Sequence, residues 1–395
     1  MICVTKNGFQ ERRNDFMKIV MVSCILNIHQ AGVADELYRI TDGNYWFIQT
    51  EMPTDEDKKG GDRDFSGRPY LVLAASGKKQ HDYAMLLIKE ADVMLFDDLN
   101  LEYLKKRIST GKLTFNIGER WLKKGIINLL SPRLLRQQWF YHTHCHGKPF
   151  YNLCASAYAA SDFAKMFSFR DKCFKWGYFT AVPELNMVDI QKSRCSTSIV
   201  KILWVARFLQ WKHPERMLQL ASQLRDAGED FTIDMIGVGP EYDTIATAIN
   251  DMGLQEYVHM LGTMPNSNVM EAMRSHHIFC FTSDKNEGWG AVLNEAMSNG
   301  CCPVASIETG SAPYLIKDGV NGFSFNLNKE NDLYEKVLWL IQHTEEREKM
   351  SIKAYHTVRY LWSPQKAAEN LVKLSEALLS GKTVPLLDGP CSSDN

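Results

Sequence analysis

Residues 279–309, FCFTSDKNEGWGAVLNEAMSNGCCPVASIET, decide how the rest of the chain is interpreted. The apolar run at 279–282 is typical of a buried strand, and a polar loop that contains Gly288 follows it. From Gly290 onward apolar residues recur at helical spacing as far as Gly300, a residue type that favours the end of a helix. A further strand is predicted to follow. The stretch therefore predicts a strand–loop–helix–strand unit of a parallel α/β sheet.

Two carboxylates flank the start of that predicted helix: Glu287 in the loop, and Glu295 about a turn and a half inside the helix. Gly288 and Gly290 would let a ligand approach the backbone closely. A helix N-terminus offers free N–H groups and a positive dipole end, which suit a phosphate. Each glutamate can accept hydrogen bonds from hydroxyls on one side of that phosphate. A phosphate between two polyols describes a nucleotide sugar, although an exposed glutamate beside an ordinary amphipathic helix gives the same pattern.

The composition of the 395 residues is that of a globular protein, with 45% hydrophobic and 23% charged residues, and the length favours two domains. A net charge of -2 gives no sign of a nucleic-acid partner. No apolar run reaches the roughly 18 residues that a membrane-spanning helix needs. The 10 cysteines include no C-x-x-C pair, which favours reduced thiols and a cytoplasmic location.

The segment 18–28, KIVMVSCILNI, allows two interpretations. It follows two arginines and precedes small residues, as the apolar part of a signal peptide does. We favour a first buried strand at 19–24 and a helix from about His29, because a parallel α/β domain begins in this way. Residues 1–16 are then interpreted as a polar N-terminal extension.

Two runs of alternating strands and helices divide the chain. The first run, 17–180, shows a weak pattern, whereas in the second run, 199–361, strands alternate clearly with helices as in a parallel sheet. The intervening residues 181–198 lack periodicity and are interpreted as an interdomain linker. Residues 362–380 contain a W-S-P break and a last helix, and residues 381–395 are predicted to be disordered.

Two cations and a glycine add to the candidate site. Arg207 and Lys212 follow the strand predicted at 199–205, at the end where ligands bind in open parallel sheets. They could clamp a diphosphate or simply lie on a surface loop. The phosphate feature in the same domain favours the clamp. Gly237, in a G-V-G-P turn after another strand, fits a turn at the nucleotide pocket or a plain structural turn.

Three further patterns contain residue types that can form sites. The D-x-D matches at 55–57 and 62–64 could hold a divalent metal, but their hydrophilic loop is typical of solvated charge. HTHCH at 142–146 has ligand types that suit zinc, but an extended chain would place Cys145 on the face opposite the histidines. We therefore predict no metal site. Residues 120–141 mix cations with large apolar residues, which fits a membrane-interface segment or amphipathic helices packed on their own domain.

The region from 199 to about 326 resembles the nucleotide-sugar-binding half of the group 1, or family 4, glycosyltransferases, which have the GT-B architecture. The resemblance rests on five motifs in this order: VARFLQWKHPERML, IDMIGVGPE, VHMLGTMPNSNVMEAM, FTSDKNEGWGAVLNEAMSNGCCPVAS and IKDGVNGFSF. It implies an α/β fold of two Rossmann-like domains whose parallel sheets face each other across a cleft. Residues 17–180 would form the acceptor domain, and the last helix would cross back onto it.

The resemblance also implies a role for each matching residue. Arg207 and Lys212 would bind the donor diphosphate, Glu287 would meet hydroxyls of the transferred sugar, and Glu295 would bind the ribose hydroxyls. Gly237 would lie at the nucleotide pocket. The backbone of five consecutive residues would hold the sugar and phosphate: Gly288, Trp289, Gly290, Ala291 and Val292. The family usually retains the anomeric configuration and needs no metal or other cofactor.

Some positions depart from the family pattern. Ala206 and His213 replace common glycines, and Tyr314 stands where a glutamate is common. The glycine-rich first loop of the family is replaced by residues that include His29, and Glu119 lies near the place of a frequent histidine. We predict that His29 and Glu119 contact the acceptor side of the cleft.

These observations predict a retaining, hexosyl-type glycosyltransferase that uses a UDP- or GDP-linked sugar and a saccharide or lipid-linked acceptor. It would act in the cytoplasm, in the synthesis of a surface polysaccharide or glycolipid. Residues 120–141 could provide a peripheral contact with the inner face of the membrane. Two alternatives stay open. One is a nucleotide-sugar epimerase of GT-B type, and the other is a non-catalytic subunit that binds a nucleotide sugar.

Overall fold

The structure is a computed structural model, and it describes residues 16–52, 65–98, 100–123, 125–194 and 198–394. Both D-x-D motifs, at 55–57 and 62–64, lie outside these residues, as do Cys195 and most of the predicted N-terminal extension. The described residues form two α/β domains. The first is built on a parallel sheet of seven strands and the second on a parallel sheet of six strands. The predicted fold class is therefore confirmed.

The N-terminal domain is built on seven described strands: β1 (Ile19–Ser23), β2 (Tyr45–Gln49), β3 (Leu71–Leu73), β4 (Val93–Asp97), β5 (Thr114–Gly118), β6 (Phe150–Cys154) and β7 (Cys173–Lys175). They are parallel and follow the order β3-β2-β1-β4-β5-β6-β7. The described helices of this domain are α1 (Ile28–Ile40), α2 (Lys78–Glu90), α3 (Leu101–Ile108), α4 (Pro132–Phe140) and α5 (Ala159–Lys165). All five residues of β1 are buried, as expected for a central strand covered on both faces.

The C-terminal domain is built on six described strands: β8 (Val200–Val205), β9 (Phe231–Ile236), β10 (Val258–Gly262), β11 (Ile278–Phe281), β12 (Cys302–Ser306) and β13 (Phe323–Phe325). Their order is β10-β9-β8-β11-β12-β13, again parallel. The remaining described helices are α6 (Met187–Arg194), α7 (Glu215–Asp226), α8 (Tyr242–Asp251), α9 (Asn266–Ser275), α10 (Ala291–Ser298), α11 (Ala312–Leu315), α12 (Asp332–Gln342), α13 (Thr344–His356) and α14 (Pro364–Leu379).

Each sheet has one point where the strand order reverses. In the N-terminal sheet this point lies between β1 and β4, and in the C-terminal sheet between β8 and β11. Ligands of open α/β sheets bind outside the carboxyl ends of the strands at such a point. One cluster of buried apolar side chains includes Leu26 and Phe115 of the first domain and Leu203, Phe281 and Trp289 of the second. The domains therefore pack together near these strand ends.

The linker contains a helix that the lack of periodicity did not predict. In α6, Met187 and Arg194 are buried, so the helix has no continuous apolar stripe for a sequence pattern to report. The Arg194 guanidinium donates hydrogen bonds to the main-chain oxygens of Arg274 (2.9 Å) and Gly300 (2.7 Å). The linker is thus fixed to the C-terminal domain by a buried arginine.

The C-terminal helix and tail return to the N-terminal domain. Helix α14 packs along α1, where a Cβ on Gly32 would lie 3.0 Å from the ring of Pro364. The prediction that residues 381–395 are disordered is wrong for the described residues up to 394. The Asp394 N–H donates to the Cys173 carbonyl (3.0 Å), the Lys175 N–H donates to the Ser392 carbonyl (2.8 Å), and Cys391 is fully buried. Backbone pairing with the edge strand β7 holds the tail, and the polar composition did not reveal it.

The segment after β5 consists of three short helices. A 3₁₀ helix, Gly125–Leu130, precedes α4, and a π-helix, Tyr141–Cys145, follows it. The HTHCH motif is therefore mostly helical rather than extended. Within the described residues, no group of three or more His, Cys, Asp or Glu side chains could hold a metal ion. Among the described helices, none is both long and apolar enough to cross a membrane.

Candidate active site

The loop after β8 places Arg207 and Gly237 side by side. Gly237 has φ of 133°, and its N–H donates to the carbonyl of Gly262 (2.8 Å). A Cβ at this position would lie 2.0 Å from the Ala206 carbonyl oxygen, so only glycine permits this approach. Arg207 is exposed at the carboxyl end of β8. The turn at Gly237 thus packs against the segment that carries the predicted phosphate-binding arginine.

Lys212 and Glu287 form an ion pair between the loops that follow β8 and β11. Their side chains are only 12% and 13% exposed. The Thr282 hydroxyl donates to the Lys212 carbonyl (2.6 Å) and accepts a hydrogen bond from the Trp204 indole (2.8 Å), which fixes the lysine backbone. An ammonium has three donors, so Lys212 can bind a phosphate oxygen while it remains bonded to Glu287.

His213 links the same two loops. It adopts φ of 52°, a left-handed conformation that is uncommon outside glycine. Its Nδ1 lies 2.8 Å from Glu215, and its Nε2 lies 3.5 Å from Asp284. The hydrogen bond to Glu215, with support from Asp284, raises the pKa of His213 above its ordinary value. The Asp284 N–H also donates to the Trp211 carbonyl (3.0 Å), so the contacts of His213 hold the Lys212 loop against the Glu287 loop.

Helix α10 begins directly after this loop. Gly290 precedes it with φ of 87°, and a Cβ there would lie 2.4 Å from the Phe281 ring. Ala291 and Val292 form the first turn, so their N–H groups have no acceptor within the helix. Gly300, with φ of 81°, follows the end of α10, as the sequence predicts. The helix start therefore presents N–H donors beside the Lys212–Glu287 pair.

The side chain of Trp289 is buried between the domains and is 1% exposed. Its indole N–H donates to the Asn294 side chain (2.8 Å), and its ring packs near those of Tyr314 and Trp362. A Cβ on Gly177 would lie 2.4 Å from this ring. Trp289 therefore anchors the loop, and only its backbone is available to a ligand.

Glu295 faces a cavity of about 430 Å³ between α1 and the helices α9 and α10. This volume lies in the range of small-molecule sites. Burial raises the pKa of Glu295 to about 7, so near neutral pH its carboxyl group changes between acceptor and donor. Polar or charged residues of both domains also line the cavity: His29, Asp35, Arg68, Arg274 and Asn299.

On the N-terminal side, Tyr178 joins the two predicted residues His29 and Glu119. The His29 and Tyr178 rings are stacked, with centroids 5.8 Å apart. The Tyr178 hydroxyl donates to Glu119 Oε1, and Lys123 Nζ donates to Glu119 Oε2, both at 2.6 Å. A Cβ on Gly288 would lie 2.4 Å from Glu119 Oε2, so this carboxylate lies against the donor loop of the other domain.

Asp97 is a functional candidate that the sequence interpretation missed. It is the last residue of β4, and the Gln30 side chain donates to its Oδ2 (2.9 Å). Burial, followed by the negative charge of Glu119, raises the pKa of Asp97 to about 6. Its position at the end of an apolar strand was a usable signal, because strand ends beside the order reversal bind ligands. Tyr178 gave no such signal, because its partners are distant in sequence.

Comparison with known proteins shows what this chain is similar to. Residues 189–357 match the family described as "Glycosyl transferases group 1". A glycosyltransferase of Methanocaldococcus jannaschii, MJ1178, is 33% identical over 30% of this chain and 33% of its own length. The N-acetyl-alpha-D-glucosaminyl L-malate synthase of Bacillus anthracis is 24% identical over 44% of each chain. The amylovoran biosynthesis glycosyltransferase AmsK of Erwinia amylovora is 30% identical over 31% of each chain.

The chain thus spans less than half the length of these curated relatives. Solved structures match over nearly the whole chain. HepE of Anabaena in complex with UDP has a TM-score of 0.68 at 14% identity and covers 92% of this chain and 100% of its own. WaaG, a glycosyltransferase involved in lipopolysaccharide biosynthesis, has a TM-score of 0.55 at 15% identity, with coverage of 89% and 98%. The fold is GT-B.

Within this GT-B fold, the structure brings only some of the predicted residues together. Lys212 contacts Glu287, and Glu119 contacts the backbone of Gly288 across the cleft. Arg207 is exposed and takes part in neither contact. The family match covers the C-terminal domain, so the N-terminal side of the cleft rests on the fold and the described contacts alone.

Proposed function

We propose that this protein transfers a sugar from a nucleoside diphosphate to an acceptor hydroxyl, with retention of the anomeric configuration. The observation that carries the proposal is the Lys212–Glu287 pair at the carboxyl ends of β8 and β11, beside the start of α10. This position combines a cation, a carboxylate and free helix N–H groups, which suit a diphosphate that carries a sugar.

Each donor residue has a distinct role in this proposal. Lys212 and Arg207 stabilise the negative charge that develops on the leaving diphosphate. Glu287, held by Lys212, accepts hydrogen bonds from the sugar. Glu295, in the cavity between the domains, accepts hydrogen bonds from the ribose. The backbone from Gly288 to Val292 borders the sugar and the phosphates. These assignments need no metal, since the cations neutralise the diphosphate.

The acceptor binds on the N-terminal side of the cleft. Glu119 lies beside Gly288, where the transferred sugar would be. Tyr178 donates a hydrogen bond to Glu119, and His29 stacks on Tyr178. Asp97 lies close enough for the charge of Glu119 to raise its pKa, so it can accept a proton from an acceptor hydroxyl. Packing of the two domains excludes water and aligns the acceptor.

The proposed setting is the synthesis of a surface polysaccharide or glycolipid in the cytoplasm. The names of AmsK, an amylovoran biosynthesis enzyme, and of WaaG, which acts in lipopolysaccharide biosynthesis, support it. The complexes of HepE with UDP and with UDP-glucose favour a UDP-linked hexose over a GDP-linked one. Residues 120–141 would provide a peripheral contact with the inner face of the membrane.

The test is an incubation with UDP- and GDP-linked hexoses, with and without saccharide acceptors, followed by NMR of the products. We expect acceptor-dependent release of the nucleoside diphosphate and a product whose anomeric configuration equals that of the donor. An inverted product would overturn retention. An epimer formed from donor alone would identify an epimerase. Donor binding without hydrolysis or transfer would instead identify a non-catalytic subunit.

A further inference from the structure

The N-terminal domain contains a second cavity, of about 570 Å³, on the side of the sheet covered by α3 and α4. Its walls are mainly aromatic and aliphatic side chains from β4, α3, α4, the π-helix, β6 and the loop before β7: Phe96, Leu104, Phe140, Tyr141, Phe150 and Phe169. A cavity with such walls is suited to an apolar chain rather than to a nucleotide. The proposed reaction does not yet assign it a ligand.

Two arginines border this cavity. Arg133 and Arg136 lie on α4 and are exposed. Within the described residues, neither guanidinium forms an ion pair with a carboxylate. Two exposed guanidinium groups beside an apolar cavity are complementary to an anionic group attached to an apolar chain.

The outer surface of the same segment is unusually apolar. Ile127 is 81% exposed, Leu130 is 79% exposed and Trp139 is 62% exposed. Large exposed apolar side chains next to cations are typical of a surface that meets a lipid interface. An apolar chain could therefore pass from a membrane into the cavity along α4.

The cavity also lies close to the proposed acceptor site. Trp121 lines it and follows Glu119 by two residues, so their Cα atoms are at most about 7.6 Å apart. Asp98, which directly follows β4 at the carboxyl edge of the sheet, lines the same cavity. A molecule with its chain in the cavity would thus place its polar end near the cleft.

We propose that this cavity binds the apolar chain of a lipid phosphate that carries the acceptor saccharide, and that Arg133 and Arg136 bind its phosphate. Only the saccharide end of this ligand rests on the proposed transferase function. The occupant is a single lipid phosphate molecule, held by its chain and its charge together.

The test measures binding of monomeric dodecyl phosphate by calorimetry. Two control ligands are titrated in the same way. Inorganic phosphate carries the charge without the chain, and dodecyl maltoside carries the chain without the charge. We expect dodecyl phosphate to bind at least tenfold more tightly than either.

Variants of the cavity and of its arginines test the two parts of the site. Leu104→Trp, which fills the cavity, should abolish binding of dodecyl phosphate, whereas Leu104→Met should not. Arg133→Ala with Arg136→Ala should weaken it at least tenfold. The matched change of two exposed lysines of α3, Lys105→Ala with Lys106→Ala, should have no effect.

Three results would overturn the cavity assignment: equal binding of phosphate alone, unchanged binding in Leu104→Trp, or loss of binding in Ile127→Ser with Leu130→Ser. The last result would indicate a general membrane surface instead. A cooperative thermal unfolding transition like that of the native protein shows that each variant is folded. Transfer to free saccharides without dodecyl phosphate binding would refute this inference and leave the transferase function intact. Binding of dodecyl phosphate without any sugar transfer would support this inference and refute the transferase function.

Discussion

The carboxylate of Glu119 lies against the backbone of Gly288, so a residue of each domain meets the other at the centre of the cleft. A Cβ at position 288 would lie 2.4 Å from Glu119 Oε2. Hydrogen bonds from Tyr178 and Lys123 fix that carboxylate, which limits its ability to move away. A methyl group at position 288 would therefore require the Glu119 carboxylate to move and its two hydrogen bonds to rearrange.

Gly288→Ala should destabilise the protein by about 1–3 kcal/mol, because an added methyl group in a tightly packed region forces shifts of side chain and backbone. Urea unfolding monitored by tryptophan fluorescence measures the change. Glu119→Gly in the Gly288→Ala background removes the colliding carboxylate and should restore most of the loss. If the double variant is as unstable as Gly288→Ala, the contact between the two residues is not the cause.

Glu287→Ala should lower stability by about 1–3 kcal/mol, because it leaves the nearly buried ammonium of Lys212 without its partner. The pair is 12% and 13% exposed, so water cannot fully replace the lost contact. A double-mutant cycle with Lys212→Ala should give a coupling free energy of at least about 0.5 kcal/mol. The exposed pair Lys349–Glu346 serves as a control and should give a smaller coupling.

Glu295 should make stability depend on pH. Burial raises its pKa from 4.5 to about 7, so the native state binds a proton that the unfolded state has released between these values. Stability therefore falls as pH rises through this window. Glu295→Gln should be more stable than the native protein at pH 8, with no difference near pH 4. Thermal unfolding from pH 4 to 8 measures this, with Glu271→Gln, an exposed change on α9, as the control. Identical profiles for all three proteins would contradict the assignment.

His213 should also make stability fall as pH rises, because its pKa is likewise raised in the folded state. Its pKa is raised above 6.5 by Glu215 and then by Asp284, so its stabilising contacts are complete below pH 6.5 and are lost as pH rises through its raised pKa. Asn tolerates the left-handed backbone at this position. His213→Asn should therefore cost more stability at pH 5.5 than at pH 8.5 by calorimetric unfolding. The exposed His146→Asn should show no such difference, and a pH-independent loss in His213→Asn would argue against a charged contact.

The sequence predicted the C-terminal domain well, for physical reasons. Strands β8, β11 and β12 are largely buried and form short apolar runs in the sequence, and Gly290 and Gly300 both adopt the positive φ angles that their positions in the pattern require. Local residue types therefore specify these elements.

Features that depend on distant contacts were not predictable in the same way. The tail beyond residue 380 is polar and is ordered by pairing with β7. Trp289 pairs with aromatic residues of three separate segments, which no local pattern reports. Asp97 and Tyr178 come together with Glu119 only in the folded N-terminal domain, because the three residues are far apart in the sequence.

The measurement that tests the account most directly is calorimetric titration of UDP into Lys212→Ala and Glu295→Ala, beside the exposed controls Lys353→Ala and Glu271→Ala. We predict at least about tenfold weaker binding in each of the first two variants, because each loses a contact to the diphosphate or to the ribose. The controls should bind as the native protein does. Unchanged UDP affinity in folded Lys212→Ala and Glu295→Ala would contradict a donor site at the carboxyl ends of β8 and β11.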